Sequence, residues 1–139
     1  MDNLSIGKIG ELRVSEYLIR NNFEVFFPIK DGGIVDLIAT KDNKLIKIQV
    51  KTTSFKDKET AVLQLQKQRN HPTKGTYYHI YTPDEIDFFA LWIDDENKIA
   101  WINCNEVYGQ TIFTLRKSVP KNNQTKGINL LENFLNLSI

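Results

Sequence analysis

Residues 34–53, IVDLIATKDNKLIKIQVKTT, constrain the fold more than any other stretch of this chain. Two alternating apolar arms, IVDLIAT and LIKIQVKTT, flank KDNK, and the Asp42-Asn43 pair suits a tight hairpin turn. The period of two places Asp36 and Ile38 on one face of the first arm, opposite Val35 and Leu37. It places Gln49 and Lys51 on one face of the second arm, opposite Ile48 and Val50. A strand that is merely half-buried does not need the polar set Lys47, Gln49 and Lys51. A carboxylate such as Asp36 inside an apolar arm is costly unless it is paired or used.

Other elements follow from the same patterns. At 100° per residue, Gly7, Gly10, Val14, Tyr17 and Leu18 fall on one stripe of a helix over 4–21, and two glycines there permit close approach to a sheet. Glu11 stands at the edge of that stripe. FEVFFP (23–28) reads as a short strand, TAVLQLQ (60–66) as a strand with a helical turn as the alternative, and TIFTLR (111–116) as a further strand. DFFALWI and KIAWIN form a second hairpin around DDEN, and GINLLENFLNL near the end has helical spacing, to pack on the sheet or on another subunit. The expectation is an α+β fold in one domain over 1–139, a mixed sheet flanked by helices. No Gly-rich phosphate motif is present, and helices at the two ends fit neither a Rossmann nor a P-loop plan.

Composition excludes several classes of function. The only cysteine, Cys104, rules out an internal disulfide framework and a Cys-rich zinc site, and it reads as a small packed residue. No long apolar run or signal-type segment is seen, so a non-membrane, cytoplasmic protein of a bacterial or organellar interior is expected. The net charge of +1 conceals asymmetry: residues 41–80 carry nine Lys/Arg against three Asp/Glu, and residues 81–106 carry seven acids against one lysine. A basic surface of this kind suits a polyanion.

Asp36, Gln49 and Lys51 on adjacent arms of one hairpin have a clear chemical use. Mg²⁺ takes oxygen ligands, and the Asp36 carboxylate, the Gln49 side-chain oxygen and the Val50 carbonyl are candidates to supply them. A metal so held acidifies water and stabilises charge on a scissile phosphate. Lys51 can orient that water or neutralise the phosphate, and Glu11 would complete the acidic edge, directly or through water.

These residues resemble a known family. GKIGEL with Glu11, IVDL with Asp36, and IQVKT with Gln49 and Lys51 resemble the active site of the PD-(D/E)XK nuclease superfamily, in the order of its α-β-β-β start. With the DFFALW strand following, the chain looks most like the group I intron-associated homing endonucleases of bacteria. The resemblance covers residues 5 to about 103. Residues from about 104 on are expected to serve DNA binding or oligomerisation. It implies a restriction-endonuclease-like core, Mg²⁺ dependence with Mn²⁺ as a substitute, and a site of Glu11, Asp36, Gln49 and Lys51. Val35 stands where Pro is usual, and Gln49 replaces the commoner acid, which removes a charge. The intron-associated group is expected to use Gln there. The second core helix of the superfamily has no counterpart in the sequence pattern.

In this reading double-stranded DNA is the partner. Lys56, Lys58, Lys67, Arg69 and Lys74 would meet phosphates, and Gln64 and Gln66, on one face by alternation, would meet base edges together with Gln68 and Asn70. His71 and His79 read as structural or DNA-adjacent, Asp87 as a turn acid, and Lys47 as peripheral. One such site cuts one strand, so a double-strand break calls for a homodimer or homotetramer. A Holliday-junction resolvase or a restriction-type nuclease shares the expected site. From another class, a catalytically inactive DNA-binding module would also account for the missing charge at Gln49.

Overall fold

The computed structural model describes residues 1–139. Helix α1 spans Asn3–Arg20 and is started by the Asp2 side chain, which accepts a hydrogen bond from Ser5 N at 2.8 Å. It ends at Asn21, followed by Asn22 with φ 67°. The strands are β1 (Glu24–Phe26), β2 (Leu37–Lys41), β3 (Lys44–Thr53), β4 (Thr60–Gln64), β5 (Gln66–His71), β6 (Gly75–Ile80), β7 (Phe88–Ile93), β8 (Lys98–Asn103) and β9 (Ile112–Arg116). A helical turn α2 (Cys104–Val107) follows β8, and a 3₁₀ turn (Leu131–Phe134) lies near the end.

The main sheet has five strands in the order β1-β2-β3-β7-β8, antiparallel except for the parallel β3–β7 pair. Asp42 and Asn43 take φ of 50° and 64°, the left-handed pair that a two-residue hairpin needs to match strand twist. Strand β7 is buried along its whole length because both faces of the sheet are covered. On one face α1 packs Val14 and Leu18 onto Leu37, Ala39, Ile48, Val50 and Trp101. Gly10 faces this sheet, and a Cβ there would lie 2.4 Å from Thr52 Oγ1. The glycine stripe is therefore a close-contact surface at Gly10, whereas nothing lies within 4 Å of a Cβ at Gly7.

The other face explains why no second core helix shows in the sequence. It is covered by the β4–β9 pair, through Leu63, Phe113 and Leu115, together with Leu131, against Phe89, Leu91 and Ile102. The expected C-terminal helix over 127–137 contracts to the 3₁₀ turn. Arg116 N donates to Asn129 O at 2.7 Å, and Leu131 is buried while Phe134 stacks edge-on against Phe113. Tethering to β9 and the inward packing of Leu131 take the place of the expected apolar helix face.

Two further differences matter. Strand β2 starts at Leu37, so Asp36 sits on a bend just before it. TAVLQLQ, expected as one strand over 60–66, ends as β4 at Gln64, and residues 66–80 form the two-stranded β5–β6 ribbon, which packs mainly on itself. No helix is long and apolar enough to cross a membrane.

Candidate active site

The site forms where β2 leaves β3. Leu37 pairs with Ile48 as the last rung of that ladder. Asp36 N still donates to Ile48 O at 2.9 Å, but the next donor, Val50 N, is taken by the Asp36 carboxylate, Oδ2 at 2.8 Å. A side chain thus replaces a strand carbonyl, which holds Asp36 at the open edge of β3. Burial is the main cause that pushes its pKa from 3.8 up to about 6. The Val50 N–H opposes this, the charge of Glu11 adds to it, and Lys51 and Lys67 pull the other way.

Glu11, one turn along α1 from Gly7, shares with Asp36 and Val50 a cleft of about 340 Å³. It is held by Lys8 at 2.6 Å, and Lys8 also lies 4.0 Å from Asp31 across the cleft mouth. Gln49 and Lys51 do not line this cleft. They pair with Phe89 and Leu91, which belong to the opposite core, so they project from the other face of β3. The four expected residues therefore do not share one face. Glu11 and Asp36 meet on the α1 side, and Lys51 acts on Asp36 from behind the strand.

Lys51 Nζ lies 5.3 Å from the centre of the Tyr81 ring. Burial lowers its pKa, and the attraction of Asp36 offsets part of that. Tyr81 is itself buried, its hydroxyl has no partner, and its pKa is pushed up to about 12, mainly by burial. Gln49 is only 6% exposed. Its Nε2 donates to Val50 O at 3.4 Å, and its Oε1 has no hydrogen-bond partner.

No group of three Asp, Glu, His or Cys side chains converges. The nearby donors are all oxygens: the Glu11 and Asp36 carboxylates, the Gln49 amide and the Val50 carbonyl. The Gln49 oxygen, one of four buried side-chain polar atoms without a hydrogen-bond partner, is free to serve as a ligand to a hard cation. This all-oxygen set fits a hard divalent cation.

The basic residues divide into groups. Lys56 and Lys58 occupy the β3–β4 loop, where Asp95 fixes the N–H groups of Phe55 and Lys56 at 3.1 and 3.0 Å. Gln64 ends β4 while Gln66 starts β5, so they belong to different strand pairs. On the ribbon, Lys67 and Arg69 share one face, whereas Gln66, Gln68 and Asn70 share the other with Tyr78 and Thr76. Lys74 sits in the ribbon turn, where His71 Nδ1 accepts from Thr73 N and Lys74 N. Lys67 turns inward, its Nζ donating to Gly32 O at 3.2 Å and Gly33 O at 3.5 Å.

Other polar residues make contacts within the fold. Asp87 exchanges bonds with Lys47, its carboxylate accepting from Lys47 N at 2.8 Å, and Lys47 Nζ donates to Asp84 O. His79 pairs with Glu85 at 2.8 Å, and Cys104 is buried with its thiol pushed up to about 11 by that burial. Sequence reasoning missed Lys8 and Tyr81. The Lys8–Glu11 spacing of three on a helix was a usable signal, but nothing in the sequence links Tyr81 to Lys51.

A mixed sheet with a carboxylate and a lysine at its split edge, under a helix bearing a second acid, is the core of a restriction-endonuclease-like nuclease. Residues 1–137 match the PD-(D/E)XK endonuclease family, and the chain belongs to that family. Among solved structures it is similar to a bacterial homing endonuclease, I-Ssp6803I, with a TM-score of 0.76 over 91% of this chain and 86% of that one. At 17% identity this is a likeness of fold. No curated protein matches it.

Proposed function

We propose that this endonuclease is a Mg²⁺-dependent, site-specific enzyme of the homing type that makes double-strand breaks in DNA. The observation that carries this reading is Asp36, pinned to Val50 N at the open edge of β3 with Glu11 before it and Lys51 behind. Glu11 and Asp36, from the α1 side, and the Val50 carbonyl would hold the metal, with Gln49 reaching the strand edge from the opposite face and Mn²⁺ as a substitute; the metal would supply acidification of water and neutralisation of phosphate charge. Lys51, kept from full solvation by Tyr81, orients the attacking water and offsets charge on the phosphate. Asp36 accepts the Val50 N–H with one oxygen, which fixes the direction of the other.

The β5–β6 ribbon has the dimensions of an element that enters a major groove, since a two-stranded ribbon fits there as an α-helix does. Its Gln66, Gln68 and Asn70 face suits base edges, while Lys56, Lys58, Arg69 and Lys74 suit phosphates. One site cuts one strand, so two or four copies acting on a pseudo-palindrome are required for a double-strand break. The resemblance in fold to a homing endonuclease favours this role over restriction or junction resolution.

The test is selection of cleaved sites from a randomised duplex library with Mg²⁺, alongside four-way junctions. A long, specific duplex target supports homing, a short one restriction, and preferential cutting of junctions a resolvase. Binding without any cutting by the wild type would make the chain an inactive module. Cutting that survives in both Asp36→Ala and Lys51→Ala would remove this active site.

A further inference from the structure

The loop that delivers Asp36 has little to hold it. None of residues 27–35 makes a backbone–backbone hydrogen bond; the first after β1 is that of Asp36 N. Ile34 and Val35 pack at the end of the loop, and Lys8 reaches Asp31 only at 4.0 Å. At its centre Gly32, with φ 89°, and Gly33 line the cleft beside Asp36. A Cβ at either would meet nothing within 4 Å, so packing does not fix this part of the loop.

The only hydrogen bonds to that centre come from the far side of the site. Lys67 Nζ donates to Gly32 O and Gly33 O, at 3.2 and 3.5 Å, from a position on β5 some thirty-odd residues along the chain. Its charge is close enough to act on both Asp36 and Lys51. Strand β5 pairs with β6 alone, so Lys67 is a direct bond between the ribbon and the loop in front of Asp36.

We propose that Lys67 is a positioning residue of the nuclease site: by bonding the Gly32 and Gly33 carbonyls it ties the loop before Asp36 to the ribbon, so that seating the ribbon on DNA fixes that loop and with it the direction of the free Asp36 oxygen. This rests on the proposed nuclease function and assigns Lys67 a role other than simple phosphate contact. A phosphate contact contributes to affinity and to its salt dependence, whereas a positioning contact contributes to the rate once DNA is bound. The two are separable by measurement.

The experiment compares wild type with Lys67→Met, which keeps the stem and removes the charge, and Lys67→Arg, which keeps a donor. Single-turnover cutting is followed at saturating target duplex, affinity is measured with Ca²⁺ in place of Mg²⁺, and tryptic nicking after Lys30 is followed without DNA. Misplacing a reacting group by about 1 Å costs about 100-fold, so Lys67→Met is expected to cut about 100-fold more slowly at saturation. Its affinity should change far less, its nicking after Lys30 should accelerate, and Lys67→Arg should recover much of both. A loss confined to affinity, with the salt slope reduced by about 1 and the saturating rate intact, would overturn the proposal in favour of a phosphate contact. Unchanged nicking would also overturn it. A wild type that cuts nothing overturns the nuclease reading as a whole, and nicking then still decides whether Lys67 anchors the loop.

Discussion

The Asp36 carboxylate accepts the Val50 backbone N–H at 2.8 Å, continuing by a side chain the ladder that β2 abandons at Leu37. This one bond places an acid in the plane of the sheet, beside the strand that carries Gln49 and Lys51. It also explains how a carboxylate survives partial burial: the N–H partially offsets the desolvation that raises its pKa to about 6.

Asp36→Asn is expected to abolish cutting while stabilising the protein. Loss of the ionised oxygen should lower the rate about 1,000-fold or more, equivalent to about 4 kcal/mol. Because the folded-state pKa lies above the ordinary 3.8, the native protein binds this proton more tightly, and stability falls as pH rises from about 4 through about 6. The penalty is complete above that window and absent below it. After discounting for partial exposure it is about 1–2 kcal/mol. Thermal melts should therefore show Asp36→Asn more stable than wild type at pH 7.5 and equal to it near pH 4.

The same shift predicts the acid limb of activity. Cutting should rise as pH increases through about 6, the point at which Asp36 ionises in the metal-free protein. Proton and metal compete for the carboxylate, so raising Mg²⁺ should move the midpoint lower. A rate–pH profile whose midpoint ignores Mg²⁺ concentration would take Asp36 out of the ligand set.

Gln49 offers a test that does not depend on cutting. Its Oε1 is buried without a partner, a cost of about 1–3 kcal/mol in the absence of metal. Gln49→Met should raise the melting temperature in chelator and abolish any rise on adding Mg²⁺. Gln49→Glu adds a buried negative charge near Asp36, so it should melt lower in chelator and gain more from Mg²⁺ than wild type does.

Gly10→Ala should destabilise the protein although alanine is the better helix former by about 1 kcal/mol. The new Cβ would overlap Thr52 Oγ1 and lie 3.5 Å from Trp92, so Thr52 must rotate or α1 must lift from the sheet. A net loss of about 1–3 kcal/mol is expected in urea unfolding. Thr52→Ala in the same chain should recover a measurable part of it, and strict additivity of the two would contradict the contact.

The ribbon faces should separate in binding assays. Gln68→Ala, on the outward face with Tyr78, should leave stability unchanged and relax the target sequence at one position by about 1–3 kcal/mol. Lys74→Ala should weaken all duplexes alike and reduce the salt slope by about 1.

The sequence by itself determined the elements whose burial imposes a period. The 34–53 hairpin, its Asp42-Asn43 turn, the β7–β8 hairpin and the α1 face were legible because a one-residue slip would expose their apolar sets. The identities of the acid, amide and lysine were legible for the same reason, since a polar residue inside such a pattern stands out. The β5–β6 ribbon was not, because neither of its faces belongs to the core and its composition carries no alternation. The C-terminal segment misled for the opposite reason: apolar spacing that suits a helix is used instead to cap a sheet face from irregular backbone. Only the tertiary structure decided that Glu11 and Lys51 reach Asp36 from opposite faces of β3, that Tyr81 backs Lys51, and that Lys67 bonds to the Gly32 and Gly33 carbonyls. Those relations arise between segments distant along the chain, at an edge where one strand stops pairing, and local periodicity carries no record of where a ladder ends.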